Sequence, residues 1–390
     1  MNALNAKDQP VPLLDFSRSY APLRDEILAA VTEALDSQRF ILGQPVADFE
    51  KAAAAQIKAN FAVGCASGTD ALWLALAAAE IGPGDSVITT PFSFFASVSA
   101  ILRAGATPLL ADIDPVTFNL SPEAVEGVLA TKSVTHNIKA VMPVHLYGQC
   151  TYWDEFTAIA NAFNLTLLED AAQAWGAKWN GRAAGTLGKA AAFSFYPTKN
   201  LSAAGDAGMV TTMDESIAER AAMLRNHGMR RRYFHDEIGW NSRLDTLQAA
   251  ILLIKLRHVE AGNQRRRELA TNYARLFAEA GLLEPGPYPS KGVFLPIEVS
   301  GAYHVWHQYV IRTTRRNDLR AFLTERQIGS EIYYPMSLHQ QEALASLGYH
   351  KGDFPESERA ANEVLALPIF PELREDEQET VVSAIADFLS

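Results

Sequence analysis

The sequence predicts an α/β fold in which a large domain, built on a mainly parallel seven-stranded sheet, is followed by a smaller C-terminal α+β domain. Three observations predict it. From about Ala62 to Asn226, seven short β-rich apolar runs alternate with amphipathic windows of helical period, the pattern of strands joined by crossover helices. A Pro/Gly segment, PGPYPSKG at 285–292, separates this region from a second and different pattern. The chain has 390 residues, 48% of them apolar, enough for about two domains with their own cores.

The strand candidates, in order, are FAVGCAS (61–67), SVITTP (86–91), TPLLADID (107–114), IKAVMPVHLYG (138–148), LTLLEDA (165–171), AAAFSFYP (190–197) and AGMVTT (207–212). They are short β-rich apolar runs. Helical windows lie between several of them: DALWLALAAAEIG (70–82), FFASVSAILRAGA (94–106) and YWDEFTAIANAFN (152–164). Leu247 to about Ala280 reads as a long, broken helix, apolar in its first half and charged in its second, suited to joining two domains. The boundary is placed there, with residues 1–250 forming the N-terminal segment and large domain and residues 251–390 the linking helix and small domain. The small domain is read as strands VFLPIEV (293–299) and HVWHQYVIRT (304–313), helix RNDLRAFLTERQIG (316–329), strand SEIYYPM (330–336) and two closing helices.

Bulk properties exclude several functions. A formal charge of −11 without long acidic runs disfavours nucleic acid and anionic membranes as partners. The opening MNALNAKDQPVPLLDFSRSY lacks a basic end followed by an apolar stretch, and ALWLALAAA (71–79) is too short to span a bilayer, so a cytoplasmic location is expected. Cys65 and Cys150 are far apart and lack metal-ligand spacing, which argues against a disulfide framework and a zinc site and leaves them as small buried residues.

Four short stretches can carry chemistry. In SFYPTKNLSAAGDAGMV, Lys199 follows a strand end, where open α/β sheets place their ligands. A lysine is ordinarily a solvated surface charge. Partial burial at this edge would lower its pKa and suit it to attack a carbonyl and form a Schiff base. In LLEDAAQ, Asp170 ends a strand and reads as a metal ligand, a general base or a helix cap. Beside a Schiff-base lysine, a buried carboxylate suits a pyridoxal phosphate site, where it keeps the ring nitrogen protonated. In GCASGTDALWLAL, Gly68 and Thr69 stand between strand and helix, as a cap or as a phosphate cradle of free backbone N–H groups. Phe94, past the SVITTP strand, is either core or an aromatic that stacks on a cofactor. No GxGxxG or GxxxxGK[ST] points to a dinucleotide or Walker-type site.

Together with RFILGQPVADFE, ADIDPVTFNL, PVHLYGQ, EDAAQAWGA, GWNSRLDTLQAAIL, YYPMSLH and LALPI, these stretches resemble the DegT/StrS nucleotide-sugar aminotransferases, pyridoxal phosphate enzymes of the aspartate-aminotransferase fold (fold type I). The resemblance covers nearly the whole chain. It implies that Lys199 is the Schiff-base lysine, Asp170 the partner of the pyridine nitrogen and Gln173 the residue facing the ring's 3-oxygen. Phe94 then stacks on the ring, and Gly68, Thr69 and Ser194 bind the phosphate. Asn241 is implied to reach the phosphate of a neighbouring subunit, so that a homodimer shares its active sites. Arg243 is a candidate anchor for a substrate carboxylate. Arg230, Arg231 and Arg232 with Tyr233 are candidates for the diphosphate, and Tyr333, Tyr334 and His339 for the border of the sugar site. Two departures, Trp175 where the family often has His and NLSAAGDAG where it commonly has NLGAxGDGG, bear on the pocket wall rather than on the lysine.

The resemblance further implies L-glutamate as amino donor and a nucleotide-linked keto sugar as acceptor, with NSRLDTLQAAIL more like relatives acting on 3-keto than on 4-keto sugars. Two other readings share the fold: an aminotransferase for a keto-cyclitol, and a regulatory protein that binds the cofactor without turnover.

Overall fold

The computed structural model describes residues 10–390; residues 1–9, within the stretch read above as free of a targeting signal, lie outside the described residues. All seven expected strands of the large domain enter one sheet. They are β1 (Phe61–Cys65), β2 (Ser86–Thr89), β3 (Thr107–Leu110), β4 (Ile138–Val141), β5 (Thr166–Asp170), β6 (Ala190–Ser194) and β7 (Gly208–Thr212), in the spatial order β1-β7-β6-β5-β4-β2-β3. The pairs β6/β5, β5/β4, β4/β2 and β2/β3 are parallel, whereas β7 runs antiparallel to both of its neighbours. The carboxyl ends of β1, β5 and β6 therefore open onto the edge at which β7 begins. Asp170 ends β5, Ser194 ends β6, and Gly208 of β7 pairs with both Ser194 and Cys65 there.

Successive strand residues face opposite sides, and both sides are apolar because helices cover both. On one face Val63, Val87, Ala192 and Val210 pack with Leu72, Leu76 and Ile101 from the helices Gly68–Ala78 and Ala96–Arg103. On the other, Ala191 and Phe193 pack with Phe49, Trp153, Trp175 and Leu252. The long helix breaks at Arg257–His258 into Thr246–Leu256 and Val259–Glu279. Its first piece packs in the large-domain core through Ala249, Leu252 and Leu256, and its second contributes Leu269, Tyr273 and Phe277 to the core of the small domain. Both cysteines are buried and free. No helix among the described residues is long and apolar enough to cross a membrane.

The small domain departs from expectation in its strands. Tyr309–Arg312 pairs antiparallel with Val364–Leu367, part of the LALPI stretch. The runs 293–299 and 330–336 make only single bridges, Leu283 with Val293, Phe294 with Arg312, and Glu331 with Ala366. Pro296 and Pro335 interrupt these runs and cannot donate to a ladder. The helix Arg316–Glu325 and the closing helices Pro355–Glu363 and Glu375–Leu389 form as expected.

The end of β5 is anchored from the face opposite Asp170. The fully buried Glu169 accepts backbone N–H bonds from Gly185 (2.7 Å), Leu187 (2.8 Å) and Gly188 (2.8 Å), and its Oε2 lies 3.1 Å from His145 Nε2. Thr151 N donates to His145 Nδ1 (3.3 Å), so His145 carries its proton on Nε2 and donates it to Glu169. Replacing Glu169 by Ala strands four buried donors at about 1–3 kcal/mol each before relaxation. Glu169→Ala is expected to lose at least about 3 kcal/mol of stability in urea unfolding.

Candidate active site

A cavity of about 590 Å³ opens at this sheet edge between the large domain and Tyr333 and Tyr334 of the small domain. Lys199 reaches it from the turn after β6, where its N–H bonds to Tyr196 O (2.8 Å). Burial of the amine pushes its pKa down to about 8, with the Asp170 carboxylate pulling the other way. About a tenth of the amine is therefore neutral near pH 7, far more than for an ordinary lysine, and the neutral form is the one that attacks carbonyls.

Asp170 lines the same cavity and is 3% exposed. Burial pushes its carboxyl above the ordinary range, opposed by hydrogen bonds from Ser97 Oγ (2.7 Å) and Ala172 N (3.2 Å) and by the charge of Lys199. Such a carboxylate gains from a further cationic N–H donor within the cavity. Gln173 is oriented by its neighbours: Tyr147 N donates to its Oε1 (2.6 Å), and its Nε2 donates to the Tyr334 hydroxyl (3.2 Å). Phe94, 57% exposed, stands at the mouth with its centroid 6.2 Å from that of Tyr334.

The phosphate-type cradle forms because Ser67 ends the loop after β1 as a helix cap. Its Oγ accepts from Asp70 N (3.1 Å) and its carbonyl from Ala71 N (2.9 Å), which leaves the N–H groups of Gly68 and Thr69 unclaimed at the positive end of the helix. Ser194 lines the cavity beside them, packed so closely that a Cβ on Gly68 would lie 2.5 Å from the Ser194 Cβ. An amine, a buried carboxylate, an exposed aromatic ring and an anion cradle in one cavity fit pyridoxal phosphate, whose aldehyde, basic ring nitrogen, flat ring and phosphate need those four partners.

Nine of the expected site residues thus meet here: Gly68, Thr69, Phe94, Asp170, Gln173, Ser194, Lys199, Tyr333 and Tyr334. Others do not. Asn241 is exposed outside the cavity and accepts from Arg243 Nη2 (2.7 Å), while Arg243 Nη1 donates to Asn226 Oδ1 (2.9 Å) and its Nε is buried without a partner, so the arginine too stands outside this cavity. His339 is 3% exposed, with Nε2 3.0 Å from Glu358 and its ring against Phe354; it braces the small domain rather than bordering the cavity. Arg230, Arg231 and Arg232 lie exposed on the hairpin of strands Met229–Arg231 and Phe234–His235. Arg230 pairs with Asp236, and Arg231 and Arg232 sit over Phe234 and Tyr233. Trp175 is core, edge-on to Phe193 and Phe195, so the departure from His does not touch the cavity wall.

The cavity also holds Ser97, Tyr196, Asp206, His307 and Gln308, which are not among the residues expected from the sequence. Ser97 lay in a helical window and His307 in a strand; a polar His-Gln pair interrupting the apolar HVWHQYVIRT run was the available signal.

Fold and site together define a class, the pyridoxal phosphate-dependent transferases of fold type I. Within it, the chain belongs to the DegT/DnrJ/EryC1/StrS aminotransferase family, whose sequence profile matches residues 22–386. It is 49% identical to a pleiotropic regulatory protein of Geobacillus stearothermophilus, covering 97% of this chain and 98% of that one. It is 40% identical to a UDP-N-acetyl-3-dehydro-α-D-glucosamine 3-aminotransferase of Acidithiobacillus ferrooxidans, covering 96% and 97%. Among solved structures, that of Streptomyces venezuelae DesV in complex with a ketimine intermediate superposes with a TM-score of 0.91 at 40% identity over 98% of this chain and 99% of that one. The protein is a pyridoxal phosphate-dependent sugar aminotransferase.

Introducing a side chain into the cradle tests its part in cofactor retention. Gly68→Ala is expected to displace Ser194, weakening pyridoxal phosphate binding at least tenfold by equilibrium dialysis while far-ultraviolet circular dichroism stays native.

Proposed function

We propose that the protein transfers the amino group of L-glutamate to the keto carbon of a nucleotide-linked sugar, a 3-keto sugar in preference to a 4-keto one. The observation that carries the reading is the meeting of Lys199 and Asp170 in one cavity at the carboxyl edge of the sheet. Support for the 3-keto preference comes from the NSRLDTLQAAIL stretch and from the 3-amino sugar chemistry that the Acidithiobacillus relative's name states for that relative.

When bound, pyridoxal phosphate supplies an aldehyde for amines to condense with and a conjugated ring that accepts electrons from a bond broken beside it. In our reading the chain does the rest. Lys199 would hold the cofactor through its amine, and the same Nζ, when free, would take up and return a proton, serving as tether and as general acid and base. Asp170 would keep the ring nitrogen protonated, and Ser97 and Ala172 hold the Asp170 carboxylate by their hydrogen bonds. Gly68, Thr69 and Ser194 would bind the phosphate, Phe94 would stack on the ring and Gln173 would face the 3-oxygen. Tyr333 and Tyr334 border the sugar. A homodimer, with Asn241 reaching the phosphate of the partner's site, is supported by that residue's exposure outside its own cavity and by exposed apolar side chains nearby, Ile238 and Trp240. We place the reaction in the cytoplasm.

The name of the Geobacillus relative keeps a second reading in view, a regulatory protein that holds the cofactor without turnover. Adding L-glutamate to the holoenzyme separates the two: the first predicts loss of the cofactor's visible band and its return when a nucleotide-linked keto sugar is added, and the second predicts no change. A band that responds to glutamate but to no nucleotide sugar would instead indicate another acceptor, such as a keto-cyclitol.

Three outcomes follow from the assigned roles. Lys199→Ala should abolish the response to glutamate, with activity falling by three orders of magnitude or more. The rate at which the apoprotein captures pyridoxal phosphate should rise with pH to about 8 and level off above it, because only the neutral Lys199 amine reacts. A mixture of Lys199→Ala and Asn241→Ala chains should recover activity that neither homodimer has; no recovery after demonstrated subunit exchange would contradict the shared site.

A further inference from the structure

The direction of each hydrogen bond beside Gln173 follows from donor chemistry. The backbone N–H of Tyr147 only donates, so the Gln173 atom 2.6 Å from it is Oε1, and the amide turns Nε2 the other way. That Nε2 donates to the Tyr334 hydroxyl at 3.2 Å. An amide nitrogen has no lone pair to offer, so the phenol oxygen is the acceptor in this bond and its own O–H points elsewhere. Among the described residues no atom accepts that O–H or the second N–H of Gln173 Nε2. Two donors without an acceptor, on atoms 3.2 Å apart, thus stand on one wall of the cavity.

Tyr147 holds both halves of the pair. Its backbone, left-handed at φ +58°, presents the N–H to Gln173 of the large domain, and its hydroxyl donates to the carbonyl of Tyr333, next to Tyr334 in the small domain. A bulky residue adopts that backbone at a cost, which the two bonds offset. Burial, reinforced by the Asp170 charge, pushes the Tyr334 hydroxyl well above its ordinary pKa, so it keeps its proton and remains a donor. The other ionisable groups on the cavity are Asp170, Lys199, Asp206, His307, Tyr196 and Tyr333.

A pair of donors this close selects an oxygen that carries negative charge. Sheet order indicates which one. Along β1-β7-β6-β5-β4 the phosphate-type cradle stands at β1 and β6, Asp170 ends β5, and Tyr147 follows β4, so cradle and donor pair flank Asp170 on opposite sides. Pyridoxal phosphate carries its phosphate arm and its 3-oxygen on opposite sides of the axis through the ring nitrogen and the aldehyde carbon. We propose that Tyr334 is a second donor, beside Gln173, to the 3-oxygen of pyridoxal phosphate, and that Tyr147 positions both. The inference rests on the reading that this cavity binds the cofactor through Lys199.

The test follows the visible band of the holoprotein against pH, with no substrate present. Donors to the 3-oxygen favour its anionic form, so removing one raises the pH at which the bound cofactor gives up its proton. Tyr334→Phe keeps the ring and deletes the O–H, and its midpoint should rise by about one pH unit, the loss of one hydrogen bond to a charged group. Gln173→Glu, which keeps the bond from Tyr147 N and draws the Tyr334 O–H to its second oxygen, should raise the midpoint further. An unmoved midpoint in Tyr334→Phe overturns the proposal and leaves the Gln173–Tyr334 bond as a latch between domains. Should that variant lose its native circular dichroism, 3-fluorotyrosine at position 334, a stronger donor of nearly the same shape, decides: a lower midpoint supports the proposal, and an equal or higher one overturns it. A wild type that forms no visible band with pyridoxal phosphate would contradict the cofactor reading itself, and the proposal with it.

Discussion

The placement of one amine and one carboxylate in a shared, largely desolvated cavity is the constraint on which the site depends. Both charges are expensive to bury, and burial moves each toward its neutral form: the Lys199 amine down to about 8, the Asp170 carboxyl upward. Asp170 is compensated first by the hydrogen bonds from Ser97 and Ala172 and then by the charge of Lys199, and the Asp170 carboxylate in turn opposes the fall in the lysine pKa. The same cost makes the site useful, because a lysine relieved of part of its proton affinity is a nucleophile at ordinary pH.

The rest of the large domain holds these groups in register. Parallel pairing of β5 and β6 brings Asp170 and Ser194 to one edge, and the antiparallel β7 returns the chain there with Gly208. Alternation along β5 gives adjacent acidic residues opposite tasks. Glu169 turns inward to backbone N–H groups and His145, whereas Asp170 turns to the cavity. The small domain closes the opposite side with Tyr333 and Tyr334, the latter bonded to Gln173, so the cavity exists only where the two domains meet.

Much of this was legible in the sequence, and for physical reasons. All seven large-domain strands could be read because a sheet covered on both faces writes itself as short continuous apolar runs, and the break at Arg257–His258 shows as a change from apolar to charged. Lys199, Asp170 and the Ser67–Thr69 cap were visible because each directly follows or ends a strand. The small domain was less legible: in 293–299 and 330–336 β-propensity was present, but proline and the absence of a long partner strand decided the outcome. His339, Arg243 and Trp175 show a different limit. Residue type and order could not tell a side chain facing the cavity from one facing Glu358, Asn226 or the Phe193–Phe195 core. His307, which lines the cavity, was hidden inside an apolar strand pattern.

The central claim is that the amine of Lys199 bonds covalently to pyridoxal phosphate. Borohydride reduction of the holoprotein followed by peptide mapping tests it most directly. The account predicts a single pyridoxyl label, on the peptide that carries Lys199; a label confined to other lysines, with Lys199 recovered unmodified, would contradict it.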